Sequence, residues 1–189
     1  MAALDVKFQK LNQWAWSTAS QGLLSKFFTG NQNDWKKKSL NPTKSELKAF
    51  LFSQQHYRCA YCRGLIEDRE GSVEIDHIVP KDLAPKCTFE TINLVLACKR
   101  CNNKKRTHNT THLSEAVLLS LASAPTTIGS YNWVHPFLHS YSNHISVTDA
   151  YVYSSSDPIG LAVITQCRLS DVKEVEARRR IAAVVSAGN

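Results

Sequence analysis

The chain has 189 residues, 43% of them apolar, and a formal charge of +7. That is enough apolar material for one packed domain, or for a small metal module with flanking elements. Six cysteines in a chain this long argue against a disulfide scaffold, and no apolar run approaches a membrane span. The opening Met1-Ala2-Ala3-Leu4-Asp5 reads as no secretory leader, so the expected location is the cytoplasm, where thiols stay reduced. The net charge favours an anionic partner such as nucleic acid, although many small proteins are equally basic.

Residues 1–58 read as helical. Thr43-Lys44-Ser45-Glu46 has the form of a capping box, and Leu47, Phe50 and Leu51 give the apolar stripe that follows. Trp14, Trp16, Phe27, Phe28 and Trp35 are expected to be core. In residues 56–108, Gly64 and Gly71 mark turns, and Val73-Glu74-Ile75 alternates like a short strand. A second strand is expected either between Pro80 and Pro85 or near Thr88-Phe89. Thr91 to Ala97 then leads into a helix starting near Asn102. Beyond residue 108, Ser114 can cap a helix over Glu115–Leu121. Ile145–Tyr153 and Leu161–Leu169 read as two strands joined by the serine-rich segment 154–160. Asp171–Val185 reads as a last helix with Arg178, Arg179 and Arg180 on a solvated face. The expected class is α+β, with divisions at 1–55, 56–108 and 109–189.

The chemistry concentrates in the middle. Cys59/Cys62 and Cys98/Cys101 form two Cys-x-x-Cys pairs, the spacing with which one turn presents two thiolates to a tetrahedral zinc ion. Between them lies Asp76-His77. Neighbours on a strand point to opposite faces, so Asp76 can offer oxygen to a hard cation such as Mg²⁺ while His77 faces a water. A neutral imidazole can take a proton from that water. Lys99, Arg100, Lys104, Lys105 and Arg106 crowd the second pair, where they would meet a phosphate backbone. Cys87, Cys167 and His56 are read as packing or surface residues. His135, His139 and His144 have irregular spacing and no carboxylate among them, which favours a packed loop.

Cys59-Ala60-Tyr61-Cys62, Glu74-Ile75-Asp76-His77-Ile78-Val79-Pro80 and Asn93-Leu94-Val95-Leu96-Ala97-Cys98-Lys99-Arg100-Cys101-Asn102-Asn103-Lys104-Lys105 together resemble the zinc-stapled HNH endonucleases. The resemblance covers residues 56–106. It implies a ββα-metal core closed by zinc at the four cysteines. It implies His77 as general base, Asn93 as the residue fixing the loop that carries it, and Asn102 sharing a catalytic Mg²⁺ or Mn²⁺ with Asp76. Asn103 stands beside Asn102 and is an alternative ligand. Lys105 would meet phosphate. The module followed by Trp133-Val134-His135-Pro136 is also similar to small HNH proteins of bacterial anti-phage systems, such as Septu and certain retrons. That implies DNA as substrate and an ABC-type ATPase as partner. The competing reading is a zinc-stabilised module that binds nucleic acid or a partner without chemistry.

Overall fold

Ser17 starts the first helix, α1 (Thr18–Phe27), by accepting the Ser20 N–H on its hydroxyl. The second helix, α2 (Asn41–Gln55), begins two residues before the expected capping box, with Pro42 in its first turn. Thr43 is therefore already helical, and its hydroxyl is buried with no partner among the described residues. The Glu46 carboxylate reaches away instead. It accepts from the Ser17 amide and from the Ser17 and Ser20 hydroxyls, tying α2 to the start of α1. The computed structural model describes residues 2–67 and 71–187.

Val73–His77 (β1) pairs antiparallel with Leu94–Cys98 (β2), with Asp76 opposite Val95 and His77 opposite Leu94. The second strand thus lies later than either expected place. Leu94 to Ala97 are buried on both faces, so the strand carries no alternation to betray it. The outer edge of β2 is closed by a side chain. Gln55, at the end of α2, accepts from the Leu96 N–H and donates to the Leu96 carbonyl, which also receives the Ala60 N–H. The next helix, α3 (Lys99–Lys105), starts three residues before the expected Asn102, because the Cys98 sulfur accepts the Cys101 N–H as its cap. It packs across both strands.

Ser114 caps α4 (Glu115–Ser120) as expected. The expected strand Ile145–Tyr153 is instead a tight hairpin of β3 (Ser146–Val147) and β4 (Tyr153–Ser154). Leu161–Leu169 is not a strand. It belongs to α5 (Pro158–Gln166), started by the Asp157 carboxylate accepting from Ile159 and Gly160 N–H, with Pro158 in the first turn. The apolar run Ile159–Ile164 suits either structure, and the Asp-Pro start decides it. The last helix is α6 (Val172–Ala187).

One hydrophobic core draws on all three stretches, with Leu47 and Leu51 from α2, Leu94 and Leu96 from β2, and Trp133, Tyr141 and Tyr153 from the C-terminal part. Cys87 and Cys167 are buried within it. Two C-terminal tyrosines grip the first cysteine turn: Tyr141 donates to the Tyr61 carbonyl at 3.0 Å and Tyr153 to the Cys62 carbonyl at 2.7 Å. No helix among the described residues is long and apolar enough to cross a membrane.

Candidate active site and cysteine cluster

The four sulfurs of Cys59, Cys62, Cys98 and Cys101 lie within 4.8 Å of one another. The Cys62 and Cys98 sulfurs are 4.0 Å apart, too far for a disulfide and close to the roughly 3.8 Å edge of a tetrahedral Zn–S₄ unit. Backbone N–H groups point at two of them, from Cys98 to the Cys59 sulfur and from Cys101 to the Cys98 sulfur. Hydrogen bonding among the clustered sulfurs pulls the Cys62 thiol well below its ordinary pKa. The donor set fits one closed zinc ion. Gly64 lets the chain turn away here, since a Cβ would sit 3.3 Å from the Cys62 sulfur.

Arg178 closes the cluster from α6. The expectation of a solvated arginine face fails at this residue, which is 5% exposed. Its guanidinium donates to the Leu169 carbonyl at 3.1 Å and faces the Tyr153 ring, and the neighbouring sulfurs hold its pKa above the ordinary value despite burial. Four thiolates around a divalent ion leave a net charge of −2, and a buried guanidinium offsets part of it.

A cleft of about 640 Å³ opens along β1. Glu74, Asp76, His77 and Asn102 line it, so the structure brings the paired carboxylate and imidazole to the same opening as Asn102. Asn103 is not among the residues lining it. The two strand neighbours are held by different groups, as alternation requires. Asp76 is buried and accepts from the Tyr61 hydroxyl at 2.5 Å and from the Lys105 ammonium at 3.1 Å. Burial and the Asp76 charge push the Tyr61 phenol well above its usual pKa, so it remains a donor.

The His77 ring lies edge-on to Trp35, with centroids 4.6 Å apart, and its Nε2 is 3.0 Å from the Thr88 carbonyl. A carbonyl only accepts, so Nε2 carries the proton and Nδ1 keeps its lone pair. Burial, with the nearby Lys105 and Lys81 charges, lowers the imidazole pKa to about 3, so the ring is neutral at pH 7.

Asn93 is fully buried and clasps the chain beyond His77. Its Oδ1 accepts the Val79 N–H at 2.7 Å, its Nδ2 donates to the Val79 carbonyl at 3.0 Å, and its own carbonyl takes the Ile78 N–H. Thr110 donates to the Ile78 carbonyl from the other side. Asn102 donates from Nδ2 to the Glu74 carboxylate at 2.6 Å, which fixes which end of its amide presents oxygen.

The basic run divides. Lys105 is fully buried, and its ammonium donates to the His77 carbonyl at 2.7 Å as well as to Asp76, so it cannot meet phosphate as expected. It sits on the helix face turned to β1. Arg106 borders the cleft, whereas Lys99, Arg100 and Lys104 line other hollows on the far side of α3. The cleft's remaining cations are Lys81, on the loop after His77, and Lys44 and Lys48 from α2. These lysines, Glu74 and Trp35 are the residues that motif reasoning missed. Lys44 and Lys48 lie one helical turn apart on one face of α2, which was the available signal.

His135, His139 and His144 are built into packing. The His135 amide donates to His139 Nδ1, the Phe137 amide donates to His135 Nδ1, and His144 Nδ1 pairs with Asp157 at 3.1 Å.

Residues 59–108 match the family model described as HNH endonuclease. A stretch of 66 residues is 35% identical to the Septu protein PtuB of Bacillus thuringiensis, covering 35% of this chain and 26% of that protein. The chain therefore matches about a quarter of that relative's length. The antiparallel hairpin, the helix laid across it and the four-cysteine cluster make residues 59–108 of this chain an HNH endonuclease module of the four-cysteine kind.

Proposed function

We propose that this protein is a metal-dependent endonuclease that hydrolyses phosphodiester bonds of nucleic acid, most readily DNA. The observation that carries the reading is His77: an imidazole lining an open cleft whose Nε2–H is spent on the Thr88 carbonyl, leaving Nδ1 to take a proton. Water attacks phosphorus and passes its proton to His77 Nδ1. The bond from phosphorus to the 3′ oxygen breaks, leaving a 5′ phosphate and a 3′ hydroxyl that takes a proton from solvent. Asn93 holds the loop after His77 so that the imidazole keeps this aim. Asp76 and Asn102 are the residues that would hold Mg²⁺ or Mn²⁺, which would supply Lewis-acid polarisation of the phosphate and stabilise the leaving oxygen. Glu74 orients the Asn102 amide for that role. Zinc at the cysteine cluster would keep the two ends of the hairpin together.

The likeness to Septu protein PtuB supports a place in anti-phage defence; we further propose the bacterial cytoplasm as the location and an ABC-type ATPase as the partner. A module that binds nucleic acid without cutting is the competing reading. Plasmid nicking with Mg²⁺ or Mn²⁺, with and without EDTA, separates them. His77→Ala is expected to lower cleavage by about 10²–10⁴-fold while zinc content and fold are kept. Undiminished cutting by a folded His77→Ala protein would falsify the assignment.

A further inference from the structure

We infer that the phosphate-binding surface is a continuous basic track that begins on α2, crosses the cleft and ends beyond α5, so that both flanks of the module hold the nucleic acid. The inference rests on the nuclease reading for the identity of the polyanion. Three observations carry it.

First, Arg106 lines two hollows at once, the cleft of about 640 Å³ and a second groove of about 740 Å³ between α3 and the C-terminal helices. It follows the last residue of α3 in a positive-φ conformation. Its guanidinium spends one of five N–H donors on the Asn103 carbonyl at 3.1 Å.

Second, both hollows are lined by cations. Lys44 and Lys81 stand in the cleft beside Glu74, Asp76 and Asp82, with Lys81 paired to Asp82 at 2.9 Å, and Arg100, Lys104 and Arg168 stand in the groove. In the groove the one carboxylate is Glu174, which pairs with Arg100 at 3.4 Å. Four cations against one carboxylate leave an excess that only an outside anion can match.

Third, the two ends of the track lie outside residues 59–108. Lys44 projects from α2 and donates to the Trp35 carbonyl at 3.0 Å, beside the ring that borders His77. Arg168 is exposed just past the end of α5. Cations spaced along an open groove suit a phosphodiester backbone, which they hold in register without reading its sequence.

The test measures binding of the full chain to a 30-base-pair DNA duplex, the matching single strand and an RNA duplex, by fluorescence anisotropy in EDTA across a salt series. Lys44→Gln and Arg168→Gln are each expected to weaken binding about 3- to 10-fold at low salt. Each should lower the salt slope by about 0.9 for the duplex or 0.7 for the single strand, with the double variant additive. Lys26→Gln, on exposed α1, should change neither. Lys104→Gln repeats the groove arm should Arg168→Gln fail to fold. Unchanged slopes in both arms overturn the track while leaving nuclease activity standing. A full slope in a wild-type protein that never cuts overturns the nuclease reading and leaves the track. No nucleic-acid binding at any salt overturns both.

Discussion

Asp76 and Lys105 show how much a single buried pair can organise. The ammonium has no exposure, and it joins the Asp76 carboxylate to the His77 carbonyl, so the two neighbours cannot shift independently. Removing one member of a buried pair strands the other charge. Lys105→Met is therefore expected to cost about 3–5 kcal/mol in urea unfolding, although the stem of the side chain is replaced almost atom for atom. A loss under 1 kcal/mol would place that lysine at the surface. Asn93 acts in the same neighbourhood through neutral hydrogen bonds. Asn93→Ala leaves the buried Val79 N–H without an acceptor, for about 1–3 kcal/mol. It should also lower kcat more than it raises KM, because it displaces the base rather than the binding surface. The family resemblance implied roles for Asn93 and His77. It could not reveal that Lys105 faces inward, since a lysine among four other basic residues reads as solvated until the helix is laid on the strand.

Helix starts decide much at the scale of elements. Asp157 and Pro158 turn an apolar run into α5, and Cys98 starts α3 through its sulfur. Gly160, in the first turn of α5, is packed so closely that an added Cβ would collide with the His144 carbonyl and the Ser155 hydroxyl. Gly160→Ala should therefore be destabilising even though alanine favours helices, by several kcal/mol in thermal or denaturant unfolding. A neutral or raised melting temperature would show that the turn can move aside. The missed strand β2 has the opposite lesson. Its residues are apolar on both faces, and its outer edge is partnered at Leu96 by Gln55, 41 positions earlier, and by the Ala60 N–H. No local pattern encodes a pairing that is made by a distant glutamine.

The whole molecule depends on the cysteine cluster and on the core that surrounds it. Zinc bound at such a site contributes folding free energy comparable to the net stability of a small domain. Stripping the metal with a strong chelator should abolish cooperative unfolding by circular dichroism, and adding zinc back should restore it. A chelated protein that melts unchanged would show the cysteines to be ordinary core.

Acid should act on the fold through buried imidazole. His135 is buried, and burial, with His139 nearby, lowers its pKa to about 3. In the unfolded chain it titrates near 6.5. Between those values the unfolded state binds the extra proton, so stability is complete above about pH 6.5 and falls as pH drops toward 3. The loss is about 2 kcal/mol by pH 5 from this residue. His135→Gln, which can still accept the Phe137 N–H, should flatten the acid limb of the stability curve, read by urea titration at several pH values.

The sequence by itself determined the two cysteine pairs that could hold a metal ion, the acid–imidazole doublet and the α+β class, because those depend on residue type at fixed short spacing. Only the tertiary structure decided which cations face the cleft, which arginine lies beside the thiolates and which run became a helix. Each of those outcomes is set by what packs against a residue from far along the chain, and solvation follows from that packing rather than from the identity of the side chain.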